Sequence, residues 1–311
     1  APVPVAPFQY SRAIFTTSHM MVSFATESTS ADRRSPSSAS MSPSPCILVR
    51  WWMIPVCSNA WFISESGVAL VSSLPARQLA QGSAGGGSIR IPCGFTGLPG
   101  LKASAGRVPV YPASPFHTLS HAGPMARSVR DLALMLTVIS RPDNRDWYAL
   151  PYLDRDWRDG LDDGVDGLRI AFSADLGYAD VDDEIAGIVA EGARVFADLG
   201  ARLETQDPGF DDPTAMFRLL WWAGSADIVG AMTPESRAKL EPGFRQLAEE
   251  GEKISLADFT AAANARVALG QFMNHFHEHY DLLVTPTMAT PAFDVRALAP
   301  GGGDAPVRRL S

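Results

Sequence analysis

The sequence predicts an α/β protein: helices packed on a mixed or parallel β-sheet, flanked at each end by chain of a different character. Three observations carry this. Between Gln81 and Phe293, short apolar runs bounded by Gly, Pro or Asp alternate with longer segments of helical periodicity, and strand–helix alternation implies helices laid on a sheet. Hydrophobic residues make up 46% of the 311, enough to fill a sizeable core. The first 75 residues hold only three acids, Glu27, Asp32 and Glu65, in a chain with 34 Asp and Glu, so the composition changes abruptly.

Taken in order, the first fifty residues carry eleven serines, among them Ser35-Pro36-Ser37-Ser38 and Ser42-Pro43-Ser44-Pro45. Such composition favours irregular coil over packing. The run Cys46–Ile54 that follows is too short to span a bilayer and is broken by Arg50, and the opening residues lack the layout of a secretory signal. We therefore divide the chain into a Ser/Pro-rich irregular region (1–78), a folded domain (79–295) and a Gly-rich disordered tail (296–311). Within the domain, Ser88–Ile91, Leu168–Phe172 and Leu282–Thr285 read as strands. Ser128 followed by Asp131 opens a helix through Leu132, Leu136 and Ile139 that stops at Pro142. A second helix runs from Asp182 to Leu199 with Gly200 as its C′ residue. A third runs from about Pro213 into Ile228, and a longer one covers Leu256 to His279. Trp221 and Trp222 either line a pocket or fill the core; their helical spacing from Phe217 favours the core.

The most pointed motif is Gly85-Gly86-Gly87-Ser88-Ile89-Arg90. Glycine lets main chain approach a ligand and adopt positive φ at little steric cost. A glycine run beside a hydroxyl can thus offer amide donors and a nucleophile to one carbonyl, as acyl transfer requires. The competing reading is a flexible linker, which the apolar surroundings disfavour.

From Gln81 to Asp131 the chain reads QGSAGGGSIRIPCGFTGLPGLKASAGRVPVYPASPFHTLSHAGPMARSVRD. It closely resembles the amidase signature family, with its Gly-Gly-Ser-Ile-Arg, Gly-Leu-Lys, Gly-Arg-Val and Gly-Pro-Met-Ala-Arg-Ser-Val-Arg-Asp segments in the same order. The likeness continues through Gly167-Leu168-Arg169-Ile170-Ala171 to Tyr280–Thr287, so it covers about Leu79 to Phe293. It implies that family's mixed sheet covered by helices, incomplete here at both ends. It also implies a Ser88 nucleophile, an oxyanion hole from Gly85, Gly86 and Gly87, an acyl-enzyme, and hydrolysis of the C–N bond of a non-peptide carboxylic amide without cofactor. The family's relay is Ser–Ser–Lys, and here the chain departs from it. No lysine precedes Lys102; the others are Lys239 and Lys253. Ser64 stands at a plausible distance for the bridging serine, but without the flanking glycines. Ala84 replaces an aspartate usual ahead of the turn. Lys102 can be proposed as a replacement base, but the family's Gly-Leu-Lys lysine is not the catalytic one, which favours a structural or surface role; Arg90 is read as a packing and ion-pair residue.

Two alternatives stay open: an A-subunit-like component of a glutamine amidotransferase, and a remnant without catalysis. The abrupt onset of resemblance near Leu79 leads us to favour a misjoined or out-of-frame origin for 1–78 over a genuine extension. A net charge of −8 argues against nucleic-acid or anionic-membrane surfaces. The expected partner is a small-molecule amide, with a homodimer among the open assemblies. Cys46, Cys57 and Cys93 have no metal-like spacing and fit a reduced, cytoplasmic setting. His275 and His279 share a helix face but lack a third ligand, so no metal is expected. A phosphate loop would need Gly-Lys-Ser/Thr entering a helix, and Ile-Arg-Ile-Pro reads as a poor helix opening.

Overall fold

An eight-stranded mixed sheet organises the residues that the computed structural model describes, 14–17, 20–24 and 79–294. In chain order its strands are β1 (Ile14–Thr17), β2 (Met20–Phe24), β3 (Leu79–Ala84), β4 (Gly100–Lys102), β5 (His121–Ala126), β6 (Arg169–Phe172), β7 (Arg202–Thr205) and β8 (Leu282–Pro286). In space the order is β3-β5-β4-β1-β2-β8-β6-β7. Strand β6 is parallel to β7 and β8, and the other pairs are antiparallel. The helices are α1 (Arg90–Thr96), α2 (Val129–Ile139), α3 (Asp183–Asp198), α4 (Thr214–Gly230), α5 (Pro234–Arg237), α6 (Pro242–Gly251) and α7 (Leu256–His279).

Part of the region expected to be irregular is regular. β1 and β2 lie mid-sheet, with Ile14 opposite Lys102 and Met21 opposite Thr285, so they bridge β4 and β8. Ser64, and the rest of 1–78, fall outside the described residues, as do residues 295–311.

The helix starts and stops follow local chemistry. Ser128, Asp182 and Ser255 are N-caps whose side chains accept from Asp131 N–H, Glu184 N–H and Asp258 N–H, which satisfies donors that have no intrahelical partner. α3 ends in a Schellman motif: Ala201 N–H donates to Phe196 O, Gly200 N–H donates to Ala197 O, and Gly200 takes φ +96°.

The expected Ser88–Ile91 strand is a correction. The strand is Leu79–Ala84, and Ser88 stands just before α1. Gly87, at φ +116°, turns the chain, and Ile91 N–H then donates to Gly87 O at 2.8 Å. Pro92 sits in the first helical turn, where a missing N–H costs nothing. Ile89 and Cys93, four residues apart, are both fully buried, so the apolar spacing was helical rather than alternating. The objection to a phosphate loop based on helix opening therefore falls, leaving only the missing Gly-Lys-Ser/Thr.

Three apolar clusters cover the sheet. Ile185, Val189, Ala193 and Phe196 of α3 pack on Ile170, Leu282 and Val284. Leu132 and Leu136 of α2 pack on Leu101, Ala122 and Ala126. Ile89 and Cys93 pack on Ala84 and Met125. The two last clusters use opposite faces of β5, with Ala122 and Ala126 on one and Met125 on the other, because successive side chains of a strand alternate. Gly123 is forced at the β4–β5 crossing: a Cβ there would lie 2.0 Å from Leu101 O.

Candidate active site

β3 and β5 carry the site. Their register pairs Ala84 with His121, so the Gly85–Gly87 loop leaves the sheet beside the start of β5. Ser83 and Ser120 fasten that corner, with their Oγ atoms 3.0 Å apart. The chain passes from Ala84 through three glycines to Ser88 and enters α1 within two residues. Ser88 is half-buried, while Ile89 anchors the loop from below. Among the described residues, the N–H groups of Gly85, Gly86, Gly87 and Ser88 donate to no acceptor, and Ser88 Oγ makes no hydrogen bond. A run of amides with no internal acceptor, next to a hydroxyl, is the arrangement that can receive a developing oxyanion.

Each glycine has its own cause. Gly87 needs positive φ, which side chains rarely adopt. Gly85 and Gly86 lie under the indole of Trp221: an added Cβ at Gly85 would meet Cζ3 at 2.8 Å, and one at Gly86 would meet Cη2 at 3.4 Å. Trp221 itself stacks on Phe116, with centroids 4.0 Å apart and planes 10° apart, and on Phe217 at 5.8 Å. The indole is thus both packed and part of the loop's roof. Trp221 and Trp222 are half-buried rather than core, and the contact of Trp221 with the glycine loop could not be read from helical spacing.

Titratable groups lie at the strand ends beside the loop. Lys102 Nζ is in hydrogen-bond contact with His121 Nδ1. Burial, then the nearby Arg266 and Arg90, push the Lys102 amine down to about 7. Burial first, then Lys102 and Arg266, push the His121 imidazole down to about 3, so it is neutral above that pH. Arg90 donates to Thr287 O at 2.8 Å, and burial lowers its pKa. Among the described residues it forms no ion pair with a carboxylate; the expected ion pair is replaced by a carbonyl contact. Sequence reasoning favoured a structural or surface role for Lys102 over that of a replacement base, and passed over His121. The Lys102–His121 contact carried no signal in the sequence, because it arises from the pairing of β4 with β5.

The histidine string at the end of α7 is spread apart. His275 Nδ1 lies 3.3 Å from Glu278 Oε1 on the surface, whereas His277 is buried with Nδ1 3.0 Å from Tyr280 O. Among the described residues, no group of three or more His, Cys, Asp or Glu side chains converges. No described helix is long and apolar enough to cross a membrane. A groove of about 450 Å³ lies at the opposite sheet edge, lined by Arg169, Arg202, Glu204, Gln206, Phe276 and Tyr280, remote from the glycine loop.

Comparison with known proteins bears on this arrangement. The family model described as Amidase matches residues 64–309, a span that opens ahead of Leu79 and runs past Phe293. An acylamidase of Rhodococcus erythropolis is 32% identical over 225 residues, covering 71% of this chain and 47% of the relative. The A-subunit of the glutamyl-tRNA(Gln) amidotransferase of Ligilactobacillus salivarius (strain UCC118) is 29% identical, covering 69% and 49%. Among solved structures, a bacterial aryl acylamidase of the amidase signature enzymes superposes with a TM-score of 0.62 at 30% identity, covering 69% of this chain and 46% of that one. The chain spans about half the length of the curated relatives it matches.

Proposed function

The chain belongs to the amidase family, and on that premise we propose that it carries the nucleophile half of an amide hydrolase. In this reading Ser88 Oγ attacks the carbonyl carbon of a small carboxylic amide. The carbonyl oxygen takes the electron pair and is received by the amides of Gly85, Gly86 and Gly87. Collapse breaks the C–N bond, the amine leaves with a proton, and water releases the acid from the Ser88 ester. The observation that supports this is the set of uncommitted loop amides beside a half-buried hydroxyl at the entry to α1. The chemistry calls for no cofactor or metal, and the acylamidase relative favours an N-acyl amine as substrate class.

Ser64 as bridging serine remains part of the proposal, as do a cytoplasmic setting and a homodimer. The test is covalent: a fluorophosphonate probe labels the protein on Ser88, and Ser88→Ala removes the label. A folded protein that never reacts at Ser88 defeats the reading in favour of a non-catalytic remnant. Ammonia release from glutamine, with inert acyl anilides, would instead support the role of an amidotransferase component, which the amidotransferase relative keeps in view.

A further inference from the structure

Three aromatic rings stand over the glycine loop, and the hydrolysis steps assigned to Ser88 and the amides use none of them. Phe116, Trp221 and Phe217 stack nearly parallel, with 10° between the first two planes and 21° between the last two. Ring edges rather than faces meet the loop. Indole Cζ3 lies 2.8 Å from the Cβ position of Gly85, and indole Cη2 and Phe217 Cζ lie 3.4 and 3.6 Å from that of Gly86. The stack is backed on the far side. Phe116 is buried against Gly224, where a Cβ would come within 2.6 Å of its ring, and Ser225 Oγ donates to Trp221 O at 2.9 Å. The segment that carries Phe116 is strained: His117 takes φ +46°, and Arg266 donates to both Thr118 Oγ1 and Thr118 O. A non-glycine residue in the left-handed region persists only where its surroundings hold it there, and such strain gathers where ligands are clamped.

We infer that Trp221 is a specificity-determining residue that limits the acyl group of the substrate to a short, apolar one. This rests on Ser88 being the nucleophile and on the Gly85–Gly87 amides holding the carbonyl oxygen. A carbonyl so held keeps its substituents close to the loop, and therefore against the indole edge. The indole leaves no room for a carbon atom between itself and Gly85, so an acyl chain cannot cross the loop on that side and must run along the ring. The atoms that meet the loop are ring carbons, so a charged acyl group would give up its water there with nothing in return. A rigid wall suits the acyl group, which stays bonded to Ser88 after the amine has gone, whereas the amine needs a way out.

The test compares the rates at which ethyl fluorophosphonates bearing methyl, butyl or octyl on phosphorus label Ser88 in the full chain, each corrected for the probe's own hydrolysis. In these probes the phosphoryl oxygen takes the place of the carbonyl oxygen, and the alkyl group that of the acyl chain. Wild type reacts fastest with the methyl probe, and the octyl probe lags by about 10-fold or more. A butyl chain ending in a carboxylate labels more slowly than butyl itself. Trp221→Ala shifts the octyl-to-methyl ratio upward by about 10-fold, and Trp221→Phe, with its smaller ring, shifts it less. Trp222→Ala, an equal loss of volume on the same helix, keeps the wild-type ratio, which separates the wall from a general loosening of α4. A Trp221→Ala or Trp221→Phe chain with the wild-type ratio, or a Trp222→Ala chain with the same shift, overturns the assignment and leaves Ser88 standing. Wild type that takes the octyl or the carboxylate probe as fast as its shorter or uncharged counterpart refutes the inference without any mutant. A wild-type chain that no probe labels defeats the Ser88 reading and this one together.

Discussion

Replacing Lys102 by methionine should raise stability at neutral pH and flatten its pH dependence. The amine falls from 10.5 to about 7 on folding. Between those values the unfolded chain holds a proton that the folded chain lacks, so stability rises with pH, by about 1.4 kcal/mol per unit at full slope. Because the folded amine is itself half-protonated at its midpoint, the rise between about pH 7 and 9 comes to roughly 2 kcal/mol. The residual solvent contact of the half-buried side chain lowers this to between about 1 and 2 kcal/mol. Below pH 7 the penalty is fully present. His121, held to about 3, contributes its own rise below the usual imidazole range and nothing above it. The raised Tyr178 and Tyr280 hydroxyls act only above their ordinary value of 10.0, outside this window. Urea denaturation at half-unit pH steps measures the slope. A wild-type stability that is flat or falls from pH 7 to 9, or a Lys102→Met slope equal to wild type, refutes the argument.

Other outcomes follow from single contacts. Trp221→Ala removes the stack on Phe116 and Phe217 and should cost about 2–3 kcal/mol, below the range for a fully buried indole because Trp221 is half-buried; thermal denaturation reads it. It should also quicken Ser88 labelling by bulky probes, since the indole covers Gly85 and Gly86. Gly251→Ala places a Cβ 2.1 Å from Trp222 O and should cost more than about 2 kcal/mol by parting α4 from α6. Gly230→Ala, with nothing within 4 Å, should stabilise by up to about 1 kcal/mol; equal melting temperatures for the two variants would contradict the packing. Ser128→Ala removes the α2 cap and should cost about 1 kcal/mol.

Much of the fold was legible because its signals are local. The cap at Ser128, the start of α3 near Asp182, the Gly200 stop and the span of α7 each depend on neighbours within one or two turns, and the structure reproduces them. Strands β8 and β6 were readable as apolar runs closed by turn residues. The reading failed at Ile89–Pro92, where β-prone side chains suggested a strand while four-residue spacing and the Gly87 turn selected a helix. It failed again for Ile14–Thr17 and Met20–Phe24, whose Ser-rich surroundings hid two strands paired by main-chain hydrogen bonds with partners far along the chain.

Residue order alone settled the family, the glycine–serine turn and most helix boundaries, because each is written in contiguous residues. Folding in three dimensions settled what lies around that turn. It set Trp221 on Gly85, His121 against Lys102 and two short strands into the gap between β4 and β8. A lysine's charge state in particular is absent from any motif, since desolvation and neighbouring cations shift it only once distant strands and helices have met.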